Sequence, residues 1–208
     1  MALTRLNTNA YGSTINLTSN VTGTLPSANG GTGATSFNSA GLVLISNTTV
    51  ASAGTLDIND LFSSSYVNYR VIGSGLNQAT DNTPWVFQLR TDSAVTNTAY
   101  WWAGVGQRDG GSAVDDGETD VSDWRIMGNN ANTGQALNFD MVIYKPQVSG
   151  HYTSYTCTAG GRRSGGGGQD LVCGGYQNTT TQFTGLRFLC DSGNVSAGNI
   201  LVFGIRDS

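Results

Sequence analysis

Lysine is nearly missing from this 208-residue chain; Lys145 is the only one. Charged residues of both signs amount to 12%, about half the usual share. Net charge is −4 and the sequence pI is about 4.7. A general nucleic-acid binder needs a basic face to neutralise phosphates, so that class is excluded. Proline occurs 3 times and histidine once, at His151. A Ser-His-Asp triad would have to use His151, and the chain has no G-x-S-x-G turn to present the serine. His151 therefore reads as a surface or edge-strand residue. The three cysteines, Cys157, Cys173 and Cys190, are odd in number and widely spaced. With no C-x-x-C pair, neither a zinc site nor a disulfide framework is expected, and a reducing cytosol is the expected compartment. No apolar run approaches ~18 residues, so no membrane insertion is expected. The opening MALTRLNTNAYGST lacks the apolar stretch of a signal peptide. The sequons at Asn16, Asn20, Asn47, Asn178 and Asn194 then read as chance products of an Asn- and Thr-rich chain.

What is plentiful is glycine, 29 residues of it, together with Thr, Ser and Asn, alongside 38% hydrophobic residues. This mixture suits short strands joined by tight turns and disfavours long helices. The stretch Phe183 to Arg206 organises the rest. Its two apolar runs, Leu186–Cys190 and Ile200–Ile205, flank a turn cluster of Asp, Ser, Gly and Asn. The second run places Ile200 and Val202 on one pleat face and Leu201, Phe203 and Ile205 on the other. A strand apolar on both faces is covered on both, by a second sheet or by a neighbouring chain. It reads as a closing central strand.

Further strands are predicted at 41–46, 55–62, 66–73, 85–91, 99–106, 121–127, 135–145, 151–159 and 170–176. The clearest is 135–145, where Leu137, Phe139, Met141 and Ile143 alternate with Asn138, Asp140 and Tyr144. About ten strands and no convincing helix predict an all-β domain over residues 41–208, a jelly-roll-like two-sheet sandwich.

The front of the chain differs. Residues 1–13 are a polar head with Leu3 and Leu6 around Arg5, unable to fold alone but suited to docking on another surface. Residues 14–40 carry only spaced apolar groups: Ile15, Leu17, Val21 and Leu25. These are too few to offset the entropy of ordering a lone chain. Two readings stay open: a disordered linker, or an extended arm ordered by packing on copies of itself. A three-fold bundle would bury those four side chains at its axis.

Two resemblances bear on these segments. NLTSNVTGTLPSANGGTGATSF, with Gly23, Pro26, Asn29, Gly30, Gly31 and Gly33 in place, resembles a segment that recurs in bacteriophage tail-fibre and tail-tip proteins. MALTRLN is similar to the start of short virion proteins of marine phages, as in cyanophages. Residues 41–206 resemble a β-sandwich domain at the C-terminal end of phage structural proteins. The shared pattern runs from an L-I-S start through Phe139–Pro146 to Ser192-Gly193-Asn194, Gly198 and Phe203-Gly204-Ile205. Leu186 and Phe203 depart mildly from it. The resemblance implies a virion location, a homotrimer, and an arm linking an attachment end to a distal head.

The remaining constellations read as structure more readily than as chemistry. Residues 109–123, DGGSAVDDGETDVSD, hold clustered carboxylates; a solvated acidic loop is favoured over calcium binding. GGTGATS at Gly30 lacks the Gly-Lys-Ser ending of a phosphate loop. GRRSGGGG at 161–168 reads as a mobile tip whose Arg162 and Arg163 could meet acidic sugars or another virion protein. A cysteine beside His151 could form a thiol site, but Cys157 and Cys190 lie in apolar strands where cysteine is a small core residue. Trp101 and Trp102 fall on opposite faces of a strand, so one is core. The other needs cover, from a subunit interface in preference to a sugar.

The expectation is a virion structural protein without enzymatic activity, cofactor or metal. It would be a short trimeric tail or head fibre, contacting other virion proteins and a host-surface polysaccharide. Leu3, Arg5 and Leu6 would anchor it; Ile15, Leu17, Val21 and Leu25 would form the arm; Trp101, Trp102, Arg162 and Arg163 would make outer contacts. The alternatives are a capsid decoration protein and, more remotely, a carbohydrate-active enzyme, for which Asp140 is the one attractive carboxylate.

Overall fold

The computed structural model describes residues 41–130 and 137–206. The anchor and arm residues Leu3, Arg5, Leu6, Ile15, Leu17, Val21 and Leu25 lie outside them. Twelve strands and no helix occur among the described residues. They are β1 (Leu42–Thr49), β2 (Thr55–Ile58), β3 (Asn68–Gln78), β4 (Thr83–Arg90), β5 (Tyr100–Gln107) and β6 (Ala113–Val121). The rest are β7 (Trp124–Asn130), β8 (Leu137–Tyr144), β9 (Ser154–Arg162), β10 (Gly168–Gln177), β11 (Gly185–Cys190) and β12 (Val195–Ile205).

Every pairing is antiparallel. The strands form two sheets, ordered β1-β12-β3-β8-β9-β10-β5-β6 and β2-β11-β4-β7. Within these lies a jelly roll: β1-β12-β3-β8 in one layer and β2-β11-β4-β7 in the other, the chain passing repeatedly between layers. Two hairpins are inserted into it. β5–β6 falls between β4 and β7, and β9–β10 falls between β8 and β11. They pair with each other through β10 and β5 and dock on β8 through β9, widening one sheet to eight strands.

The core follows from alternation. On β8, Leu137, Phe139, Met141 and Ile143 are buried while Asn138 and Asp140 are exposed. Between the sheets lies an aromatic cluster. Phe87 of β4 meets Trp124 of β7 at 5.2 Å, Tyr155 of β9 at 5.1 Å and Phe188 of β11 at 6.1 Å between ring centroids. Trp124 also meets Tyr100 of β5 edge-on at 5.0 Å. Burying Tyr and Trp requires partners for their polar tips. Tyr155 Oη donates to the Arg125 carbonyl at 2.9 Å, Tyr100 Oη to the Thr96 carbonyl at 3.0 Å, and Trp85 Nε1 to Gln78 Oε1 at 2.6 Å.

Several expectations need correction. Residues 113–121 are not part of a loop; they form edge strand β6, whose residues stay largely exposed. The Gly161–Gly168 stretch is the turn of a hairpin, β9 running to Arg162 and β10 starting at Gly168. The turn between them is closed by the Arg163 N–H to the Gly167 carbonyl at 3.0 Å. Residues 59–62 leave β2 early, yet Leu61 and Phe62 are buried core. β12 is an interior strand, between β1 and β3. Ile200 and Val202 are fully buried, but Leu201, Phe203 and Ile205 on the other face are only half-covered.

The outer face of the small sheet is held by charge. Asp57 accepts from Arg187 at 2.6 and 2.8 Å and from Arg90 at 2.8 Å. The Arg187 hydrogen bonds, then the Arg187 and Arg90 charges, hold the Asp57 carboxyl below its ordinary range against partial desolvation. A lowered folded pKa adds stability that is present above the unfolded value and lost as pH falls through the folded one. Asp57→Asn is expected to lower the melting temperature at about pH 6, the gap closing toward about pH 2. Phe87→Ala is expected to lose about 3–5 kcal/mol in denaturant titration, with an unchanged slope.

Candidate functional site

The inserted hairpins are not needed to close the jelly roll, and their outer face carries the unusual chemistry. β5 alternates, so Trp102 points inward and is 4% exposed, while Trp101 lies half-buried on the outer face. Trp102 is thus core: Arg125 sits over its ring at 5.0 Å and also reaches Asp116 on β6 at 3.1 Å. Antiparallel register puts Trp101 opposite Tyr176 of β10. Their ring centroids are 5.6 Å apart, with planes 34° from parallel. Tyr152, in the turn before β9 and 53% exposed, continues the row at 6.0 Å from Tyr176 and 35°.

The backbone beneath is tightly set. A Cβ on Gly175 would lie 2.0 Å from the Trp101 carbonyl, so only glycine allows β10 to sit this close to β5. That carbonyl accepts the indole N–H of core Trp124 at 3.2 Å. A bulge in β6 faces Trp101, where Tyr100 pairs with Val121 but Trp102 with Glu118. Asp120 in the bulge and Ala99 just before β5 both take left-handed backbone, φ 57° and 65°. Alongside lies a hollow of about 320 Å³ lined by Trp101, Trp102, Ala103, Glu118, Thr119, Gly174, Gly175 and Tyr176.

The same outer face continues as an open trough of about 1010 Å³ across β3, β8, β9 and β10. Arg70 spans to Asp140 there, its Nε donating to Oδ1 at 2.9 Å and its second nitrogen to Oδ2. This fork lowers the Asp140 pKa through hydrogen bonding and charge, against some desolvation. A general acid of a glycosidase needs the opposite shift. At the β1 side of the trough, Leu42 and Leu44 are 40% and 53% exposed, beside Ile205 and Phe203 in register.

The other sequence candidates disperse. Arg163 lies 3.9 Å from Asp109 at the hairpin tip. Arg162 pairs with Gly168, whereas Trp101 pairs with Tyr176. That is eight residues along β10, on the order of 27 Å at ~3.4 Å per residue. The arginines and the aromatic row are therefore separate surfaces. His151 is an exposed turn residue. Among the described residues no three His, Cys, Asp or Glu side chains converge as a metal site, and the carboxylates of β6 spread along a strand. Sequence reading missed Tyr152 and Tyr176; only strand register brings them to Trp101.

All three cysteines are free and buried. Cys157 and Cys173 are cross-strand partners, and Cys173 Sγ lies 3.3 Å from the Arg125 carbonyl. The hydrogen bond to Cys173 and burial push the Cys157 thiol well above its ordinary pKa. Burial, with the Asp191 charge, pushes Cys190 up to about 12. Thiolates are disfavoured at both.

No protein-family model, curated protein or solved structure matches the chain.

The hydrogen bond with Cys157 lowers the pKa of Cys173, so its protection rests on burial, which keeps all three sulfurs from a disulfide reagent at neutral pH. The native protein is expected to titrate no thiol with DTNB, and all three cysteines after denaturation.

Proposed function

We propose that this chain is a structural protein of a tailed-phage virion. It is a short homotrimeric fibre, fixed to the tail or head by its first residues, with the jelly roll displayed for host attachment. The likeness of residues 16–37 to phage fibre segments motivates the reading. The observation that carries it lies where the described domain begins. Leu42 and Leu44 expose apolar side chains next to the half-covered Phe203 and Ile205, directly after the apolar-poor first 40 residues. An apolar stripe at that junction suits subunits gathered by their leading segments, each covering part of the next. Three sandwiches held together give attachment by avidity even when each contact is weak.

The full-length protein is expected to sediment as a trimer at micromolar concentration. Leu44→Asp should shift it toward monomer while leaving the far-ultraviolet spectrum intact. Removing residues 1–13 should abolish incorporation into particles. Labelling on purified particles should show the protein at the tail or a vertex; hundreds of copies over the shell would instead make it a decoration protein. Wild-type protein that stays monomeric would overturn the trimer.

A further inference from the structure

We propose that the hollow beside Trp101 binds a non-acidic polysaccharide of pyranose sugars, stacked along the row Trp101, Tyr176 and Tyr152. The inference deepens the attachment reading and takes its biological setting from it. The ligand follows from the chemistry of the row. A pyranose offers an apolar C–H face rimmed by hydroxyls, and Trp and Tyr offer an apolar ring with one polar tip.

The tips separate this row from the core. Trp124, Tyr100 and Tyr155 each spend their polar atom on a backbone carbonyl. The indole N–H of Trp101 and the hydroxyls of Tyr176 and Tyr152 have no hydrogen-bond partner among the described residues. They remain available to sugar hydroxyls. Ala103 and Gly174 add little bulk to the lining, and Thr119 adds a hydroxyl-bearing side chain.

Charge narrows the ligand class. No Lys, Arg or His lines the hollow. The adjoining strand β6 adds exposed Asp115 and Asp120, whose carboxylates, unlike those of Asp116 and Glu118, are not paired with Arg125. A polymer of uronic or sialic acids, or one bearing phosphate, would be repelled. A second copy docked here about a two-fold axis would set those carboxylates against their own counterparts, which disfavours that occupant. The strained backbone at Ala99 and Asp120, on either side of Trp101, marks the place where the fold departs from its lowest-energy path.

The test uses the full-length protein on an array of neutral, amino and acidic pyranose oligosaccharides, followed by calorimetry on the best neutral hexamer. Binding to neutral sugars with quenching of tryptophan fluorescence is expected, and no binding to hexagalacturonate. Trp101→Ala and Tyr176→Ala should each weaken binding by about tenfold or more. Tyr152→Ala, at the exposed end, should weaken it less and serves as the control should the others fold poorly. Unchanged melting temperatures would tie the losses to the surface. Preference for the acidic oligomer, binding indifferent to all three substitutions, or no binding across the array would overturn the proposal. So would a Trp101→Ala protein whose only change is loss of the trimer, which would make the row a subunit contact. The virion reading fails separately, if purified particles lack the protein.

Discussion

Phe87 and Trp124, neighbours in the small sheet, join the two layers through their contacts with Tyr155 and Tyr100 of the large sheet, and much else is placed by this pair. Rings from both layers interlock around this pair: Tyr100 and Tyr155 from the large sheet, Phe188 from the small one. Large flat side chains remove much apolar area from water while losing few rotamers. Their polar tips then demand acceptors in fixed places. Trp124 finds its acceptor in the carbonyl of Trp101, the residue at the centre of the outer aromatic row. The backbone under the candidate site is thus held from the inside by the residue that joins the layers.

This arrangement separates two tasks within one sheet. The jelly-roll strands close the core, and β12 completes it between β1 and β3. The inserted hairpins add width and present a second surface, whose shape can vary without reopening the sandwich. Function sits on such additions more often than on the frame. The Arg70–Asp140 pair across the trough belongs to the frame: a cross-strand pair on an exposed face, fixed in its charged state.

Much of the frame was legible in the sequence. β8, β11 and the end of β12 could be read because alternation with Phe, Leu, Ile and Val has one cause, a pleat with a covered side. β6 could not. It is an edge strand whose inner residues Asp116 and Glu118 meet Arg125 instead of the apolar core, so no apolar period exists to detect. At the glycine tip, composition reports only freedom of the backbone, and the hydrogen bond from Arg163 to Gly167 gives the turn its form. The adjacent pair Trp101 and Trp102 correctly announced one core ring and one outer ring. Tyr152 and Tyr176 carried no signal, because their nearness to Trp101 is a product of strand order. From the sequence a subunit interface at Trp101 stood ahead of a sugar, tryptophan suiting either. The unpartnered polar tips are what motivate the proposed hydroxyl-rich ligand.

The two borders of the large sheet are chemically opposite. One ends in β1 with exposed leucines, the other in β6 with Asp115, Asp116, Glu118 and Asp120. Endless growth of sheet upon sheet would require the greasy border of one molecule to zip onto the acidic border of the next. That union would strip water from carboxylates and offer them no cation in return. The chain therefore carries its own guard against fibril formation, written into the mismatch between its first strand and its sixth.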